Sequence, residues 1–513
     1  MNKIKNKKGF DNERYLAEQS KAILDRVKKF DHKLYLEFGG KLCFDYHAAR
    51  VLSGYDPRVK IKLLKMLGDK IEIIFCVYAN DIEMGRLRGD FGMTYDTATL
   101  FMIDDLKDWG LEVSSVVLTR FNNQPQAIKF KNRLQNKGIT TYIHQEIPGY
   151  PADVDRIVSE EGLGRNQYIK SKKPIVIVAA PGPGSGKLAT CLSQLYHDHK
   201  NGINSGYAKF ETFPIWNLPL KHPVNVAYES ATCDIKDFTL VDPFHLETYK
   251  QEAINYNRDV EAFPILKRIL ERIVGEGRHM VMYNSPTDMG VNRAGFGIVD
   301  DKIVQEAAKQ EIIRRYFRYN WEFMIGLEKR DTVQRAKSLM EELGLKEEER
   351  LCVLPARKAA KQAERKGKGH KGVFCGAAIE LNNGKIVTGK NSPLLHAASA
   401  AVLNAIKTLA RIPDKIDLLP RVVINNISTL KKHTLGMKSE SLDVEEILVA
   451  LSISATSNPA AEAGMKELGS LNGCQMHLTH IPSEGDEGGL RKLGINMTTD
   501  ANPTTLGYFL RET

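Results

Sequence analysis

Nothing in this sequence is long and apolar enough to cross a membrane as a helix. Its apolar runs, such as Pro174–Ala180, fall far short of the ~20 residues such a span needs. The first residues, Met1–Gly9, are basic and polar with no apolar segment behind them, so they read as a frayed tail and not as a secretory signal. No two cysteines stand in a CxxC pair. The seven (Cys43, Cys76, Cys191, Cys233, Cys352, Cys375, Cys474) are odd in number and widely spaced. That argues against a disulfide framework or a zinc ribbon and for buried thiols in a reducing, cytoplasmic setting. HExxH and GxSxG are absent as well, so neither a zinc-protease helix nor a hydrolase nucleophile elbow is expected.

Acidic residues are in deficit, and the net charge is +10. More than half of that excess lies between Arg357 and Lys371, where seven basic residues face Glu364 alone. No aromatic interleaves with them, so the stretch reads as a solvated linker, and nucleic acid is not an expected partner. The chain has 513 residues, beyond the ~250–300 at which one core stops growing, so two or three domains are expected.

What is present first is an alternation of strands and helices. Leu34–Phe38, Ile71–Tyr78, Val113–Thr119, Ile139–His144 and Pro174–Ala180 read as strands, with Tyr207–Phe213 and Phe238–Val241 as two more. Continuous apolar strands between helical patterns predict a parallel sheet covered on both faces, the doubly wound architecture, with ligands beyond the carboxyl ends of the strands. Val260–Val274, Lys302–Phe323 and Asp331–Leu343 read as helices. A second α/β unit then starts with Val373–Leu381 and Lys385–Gly389 around the turn Asn382-Asn383-Gly384, followed by a helix at Leu394–Leu409. Arg421–Asn425 reads as a strand, Val444–Ser454 and Ala460–Leu468 as helices, and Gln475–His480 as a strand.

The strongest chemical signal is Pro181-Gly182-Pro183-Gly184-Ser185-Gly186-Lys187-Leu188, between the apolar strand and a helix carrying Leu188, Cys191, Leu192 and Leu195. Strand, glycine loop and helix are the context of a phosphate site: glycines let backbone N–H groups turn inward, and the helix start adds partial positive charge. The match to GxxxxGK[ST] is incomplete. Pro181 replaces the first glycine, Leu188 replaces the metal-binding hydroxyl, and Thr190 is rotated ~200° away on the helix. The loop does not fit GxGxxG either, and no acidic ribose partner can be assigned. That weakens a dinucleotide-dependent oxidoreductase.

Around it stand further candidates. Asp242 ends the strand Phe238–Val241 in the manner of a Mg²⁺-positioning aspartate, although Asp242-Pro243 is equally a helix start. Gly39-Gly40-Lys41 is followed by Asp45, His47 and Arg50; Arg86 and Arg88 could clamp an anion. Two polar runs, Asn255–Asp259 and Asn284–Asn292, could close over a ligand, with Asp288 as general base. Cys474, His477 and His480 are not read as a zinc site, because a strand puts 477 and 480 on opposite faces.

Several strings carry a resemblance: Glu37-Phe38-Gly39-Gly40-Lys41, Ala180–Lys187, Lys209–Pro223, Ser285–Asn292 and His477–Pro482. With them the chain resembles a family of bacterial cytosolic proteins known as domain of unknown function 1846, over essentially its whole length. The resemblance implies a Rossmann-like N-terminal part, a separate α/β C-terminal part and self-association into a homo-oligomer. It implies no established activity, cofactor or catalytic residue.

The expected fold is therefore α/β: a Rossmann-like, doubly wound, mostly parallel sheet, a helical segment and a smaller C-terminal α/β domain. The divisions are 1–230, 231–345, a charged linker 346–372, and 373–513. The expected function is phosphoryl or nucleotidyl transfer, or ATP-dependent ligation, on a small-molecule phosphate ligand. ATP or another phosphate compound would sit on Gly182, Gly184, Ser185, Gly186 and Lys187, with Arg86 and Arg88 nearby, and Asp242 would hold Mg²⁺. Asp288, His47 and Asp45 are the catalytic candidates; neither zinc nor haem is expected. The rival reading is a non-catalytic protein that senses a phosphorylated metabolite.

Overall fold

The structure is a computed structural model and describes residues 8–30, 33–88, 92–275, 283–437 and 439–503. The chain divides into two compact units. One comprises Lys8–Thr232 with Lys236–Ala308; the other runs from Lys309 onward and includes Cys233–Ile235.

The first unit is built on strands β1 (Lys33–Phe38), β2 (Ile71–Tyr78), β3 (Val113–Thr119), β4 (Thr140–Ile143), β5 (Ile175–Ala179) and β6 (Ser205–Phe210). They form one sheet in the order β4-β3-β2-β5-β1-β6, with every pairing parallel. Helices flank it. The central strand β5, Ile-Val-Ile-Val-Ala, is buried at every position, which is why the sequence there is an unbroken apolar run and not an alternating one. The chain leaves β2 toward β3 and leaves β5 toward β6, so the loops after these two neighbours diverge. That divergence opens a crevice at the carboxyl edge of the sheet, the place where open α/β sheets bind ligands.

One expected member of this sheet lies elsewhere. Thr239–Val241 forms a separate antiparallel pair (β7) with Ile254–Tyr256 (β8). Only Thr239 of the three is buried and Phe238 is exposed, so the run cannot serve as a strand covered on both faces.

The second unit carries a mixed sheet of β9 (Gly376–Glu380), β10 (Ile386–Lys390), β11 (Gln475–Leu478) and β12 (Asn496–Thr499), in the order β10-β9-β11-β12. The hairpin β9–β10 turns at Asn382–Gly384, where Gly384 N–H donates to Leu381 O (2.8 Å). Its core packs the sheet against Ala397–Leu409 and Val444–Ser454.

Two sequence expectations fail here. The stretch 346–372, read as a linker, contains the helix Val353–Arg365, which packs on β9 through Val353, Ala356, Ala359 and Ala363. Small alanines at helical spacing make a narrow buried stripe that the surrounding lysines hide from a composition count. Arg421–Asn425, read as a strand for its β-branched residues, is the start of the helix Arg421–Thr429. Only Ile424 of that helix is buried and Val422 is exposed, so packing and not intrinsic strand preference decides. All seven cysteines are free thiols. Among the described residues no helix is long and apolar enough to cross a membrane.

Candidate functional site

The glycine loop lies in the crevice. It leads from β5 into helix α1 (Lys187–Lys200). Gly186 caps that helix with φ 85°, a left-handed conformation that costs a side-chain-bearing residue about 1–2 kcal/mol. No side chain caps the helix start, so its first-turn N–H groups keep their capacity to bind an anion. The loop's carbonyls are held from behind. Ser185 Oγ donates to Gly182 O (2.8 Å), Thr119 Oγ1 to Ser185 O (2.8 Å) and Arg120 Nη2 to Gly184 O (2.5 Å). Arg120 also stacks its guanidinium 3.4 Å from the centre of the Tyr78 ring. The ends of β2 and β3 thus fix the loop that follows β5.

Lys187 is half-buried, and its charge pulls down the Cys76 and Cys191 thiols, which burial pushes up. Thr190 is turned toward the sheet, where its Oγ1 accepts from Cys76 Sγ (3.4 Å). The Tyr95 hydroxyl packs against Gly182, and Arg86 lies 5.7 Å from the centre of the same ring while pairing with Asp81 (3.2 Å). Arg86 is therefore a neighbour of the loop through Tyr95. Arg88 belongs to the short pair Leu87–Arg88 with Met93–Thr94; its side chain lies outside the described residues.

A second cluster sits at the same edge, and sequence reasoning missed it. Parallel register places Glu37 of β1 beside Lys209 of β6. Glu211 follows β6, Tyr256 ends β8, and Asp259 stands in the first turn of α2 (Asn257–Val274). Lys209 Nζ donates to Asp259 Oδ1 and Oδ2 (2.6 and 2.7 Å) and to the Tyr256 hydroxyl, and lies 3.4 Å from Glu211 Oε1. Tyr256 donates to Glu211 Oε1 (3.2 Å) and Tyr207 to Glu37 Oε2 (2.7 Å). Gly39 makes room, since a Cβ there would meet Glu211 Cγ at 2.5 Å. The Lys209 side chain is 13% exposed and those of Glu211 and Asp259 are each 18% exposed, so their charges act on one another with little screening.

The electrostatics follow from one ammonium among three carboxyls. Burial alone would discharge Lys209, but Asp259, Glu211 and Glu37 hold it protonated and raise its pKa. Burial pushes the Glu211 carboxyl up to about 7; Lys209 pulls it back, while Asp259 and Glu37 push it further up. A carboxyl that titrates near neutrality can both take and give a proton at working pH. A narrow recess lined by Lys209, Glu211, Trp216, Asn255, Thr287 and Asn292 reaches this centre. Both polar runs noted in the sequence contribute to it: Asn292 Oδ1 accepts from Glu211 N–H (2.7 Å), and Asn255 Nδ2 donates to Thr287 Oγ1 (3.4 Å). Glu37 raises and Lys187 lowers the same Cys191 thiol, so the acidic cluster and the glycine loop act on a common point.

The remaining candidates occupy other places. Asp45 caps the helix Tyr46–Val51, accepting from Ala48 N–H (3.1 Å), and pairs with the fully buried Lys60 (2.7 Å). Burial raises its carboxyl, but Lys60 outweighs this and holds it below the usual range. His47 packs edge-on against Phe213 with ring centres 5.3 Å apart. Asp288, half-buried, accepts from the Tyr249 hydroxyl (2.6 Å) and Asn284 N–H (3.2 Å).

Asp242 is fully buried. It accepts from Phe244 N–H, His245 N–H and Thr287 N–H (each 3.1 Å) and from Thr287 Oγ1 (2.7 Å), so both of its oxygens are engaged. Asp242→Ala is accordingly expected to cost about 0.5–2 kcal/mol or more of stability, the loss of a helix cap plus the tie to Thr287. A chemical denaturation curve measures it, and an unchanged midpoint would contradict the cap. Among the described residues no group of three or more His, Cys, Asp or Glu is arranged to hold a metal ion.

Comparison with known proteins places the chain in a family. The family description "Domain of unknown function DUF1846, N-terminal" matches residues 8–344, and "Domain of unknown function DUF1846, C-terminal" matches residues 348–507. Among similar proteins, the UPF0371 protein of Clostridium tetani (strain Massachusetts / E88) is 55% identical over 493 residues, covering 96% of this chain and 97% of that protein. The UPF0371 protein of Clostridium botulinum (strain ATCC 19397 / Type A) is 56% identical over 493 residues, with the same coverage of 96% and 97%.

Proposed function

This chain belongs to the DUF1846 family, and from that premise we propose that it is an enzyme acting on a phosphate-bearing small molecule, of the phosphoryl- or nucleotidyl-transfer or ATP-dependent ligase type. The ligand's phosphate sits on the N–H groups at the start of α1, with Lys187 as counter-charge. Glu211 exchanges the proton, and Lys209 with Asp259 sets its basicity. The observation that carries this reading is the buried cluster of Glu211, Lys209, Asp259 and Tyr256 standing at the same sheet edge as the glycine loop, where burial raises the Glu211 carboxyl. Leu188 has no side-chain oxygen and the Thr190 hydroxyl faces Cys76, so neither residue offers a hydroxyl to a metal. Any Mg²⁺ arrives with the ligand's phosphates.

Leu188 also favours a second reading, a protein that binds a phosphorylated metabolite without turnover. A thermal-shift screen with nucleotides, dinucleotides and sugar phosphates, with and without Mg²⁺, addresses both. At 100-fold excess over Kd a ligand adds about 2.7 kcal/mol of stability, and Lys187→Ala is expected to lose that gain. A ligand that stabilises Lys187→Ala as well as the wild type sinks the loop assignment. Recovery of the ligand unchanged after prolonged incubation selects the second reading.

A further inference from the structure

The second unit holds three polar side chains in series that the reading above does not use. His396 precedes α3 (Ala397–Leu409) as its N-cap residue, but its ring makes no capping hydrogen bond, so helix capping does not account for it. Its Nδ1 lies 2.7 Å from Asp486 Oδ2, and its Nε2 lies 3.3 Å from Ser439 Oγ. Asp486 is 4% exposed and fixed on two further sides: Oδ1 accepts from Val444 N–H (3.0 Å) and Oδ2 from Ser483 Oγ (2.8 Å). His396 is 24% exposed, and Ser439 lies at the half-buried level. The series thus runs from a sealed carboxylate, through an imidazole, to a hydroxyl that solvent can reach. With Nδ1–H held by the carboxylate, Nε2 carries the lone pair and accepts the serine proton. That is the relation a nucleophile needs to its base, and a base to the group that orients it.

We propose that Ser439, His396 and Asp486 form a nucleophilic centre that hydrolyses carboxylic esters through an acyl-serine. Ser439 Oγ adds to the ester carbonyl carbon while its proton passes to His396 Nε2. The ester C–O bond then breaks, and the departing alcohol takes that proton. Water adds to the acyl-serine as His396 removes its proton; the Oγ–C bond breaks, the acid leaves and the proton returns to Ser439. Ester and water become acid and alcohol, with no other reactant. Esters fit better than amides because an alkoxide is a far better leaving group than an amide anion, so its departure demands less of the one imidazole that protonates it. The imidazole stands at the start of α3, where the aligned peptide dipoles favour developing negative charge. Asp486 is a positioning residue. Asp486 and Asp443 favour the imidazolium, whereas burial and Lys431 oppose it; His370 is a further titratable group facing the ring.

The test uses the full-length chain and a fluorophosphonate probe, with the labelled residue mapped by mass spectrometry and p-nitrophenyl butyrate hydrolysis followed in parallel. Label is expected on Ser439 and absent in Ser439→Ala, with labelling and hydrolysis in His396→Gln slowed by ~10²–10⁴-fold. In Asp486→Asn the pH midpoint of labelling is expected to fall, because the charge that favours the imidazolium is gone; a purely structural role would leave that midpoint in place. Circular dichroism establishes that each variant is folded. Failure of the folded wild type to label, or equal labelling of Ser439→Ala, overturns the centre. An unmoved pH midpoint in Asp486→Asn overturns the role of that carboxylate.

Discussion

Lys209→Met is expected to destabilise the protein by about 3–5 kcal/mol, the usual cost of removing one partner from a buried ionic cluster. Methionine fills much of the same space, so the loss reports charge and not volume. Without the ammonium, Asp259 loses contacts at 2.6 and 2.7 Å, and Glu211 loses a neighbour at 3.4 Å. Those carboxyls must then take up protons or draw in water. The penalty should therefore be larger at pH 8 than at pH 5, where protons are plentiful. Urea denaturation at the two pH values measures both effects. Adding Asp259→Asn should return part of the loss, since the double variant leaves one fewer uncompensated charge. A loss below ~1 kcal/mol, the level of an exposed pair, would mean that water already screens Lys209 and that the centre is not preorganised.

Glu211→Gln is expected to flatten the pH dependence of stability between about pH 4.5 and 7. The folded carboxyl titrates at about 7, above its ordinary 4.5. In that window the folded state holds a proton that the unfolded state has released, so rising pH favours unfolding. At ~1.4 kcal/mol per pH unit, the wild type should lose about 3 kcal/mol across the window from this group alone. Glutamine does not titrate, yet it retains an acceptor for the Tyr256 hydroxyl. The histidines titrate in both proteins, so the difference between the two curves isolates Glu211. Urea unfolding free energies at pH 5, 6, 7 and 8 supply those curves. Parallel curves would refute the raised pKa and with it the acid–base role. In the proposed reaction, the same titration sets one limb of the pH–rate profile near neutrality.

The strands of the parallel sheet were legible because burial on both faces writes an unbroken apolar run, as in Ile175–Ala179. The glycine loop between strand and helix was legible because its residues are adjacent in the chain. The Lys209 centre was not, because its members at 37, 209, 211, 256 and 259 come from four separate elements. Only the register Glu37↔Lys209 and the return of β8 bring them together. The available signals were the polar run ending at Asp259 and a lysine and a glutamate flanking Phe210 at a strand's carboxyl end, inside the string Lys209–Pro223. Asp242 shows the opposite failure. An aspartate after a strand and before a proline satisfies two descriptions, and the four hydrogen bonds it accepts reveal which one the fold uses. The alanine stripe at Val353–Arg365 was hidden because alanine adds little to a hydrophobic count, yet lets a helix approach a sheet closely.

The strand order has a consequence for how the chain is made. β1 and β2 come early, but neither pairs with the other; both pair with β5. Roughly 100 residues emerge from the ribosome after β2 before β5 appears, about 5–20 s at ordinary rates of synthesis. Through that interval β2 can pair with β3 along one edge only, while both edges of β1 await strands that do not yet exist. A nascent chain stalled before Ile175 has no centre to its sheet, and it is the species that chaperones should hold most firmly.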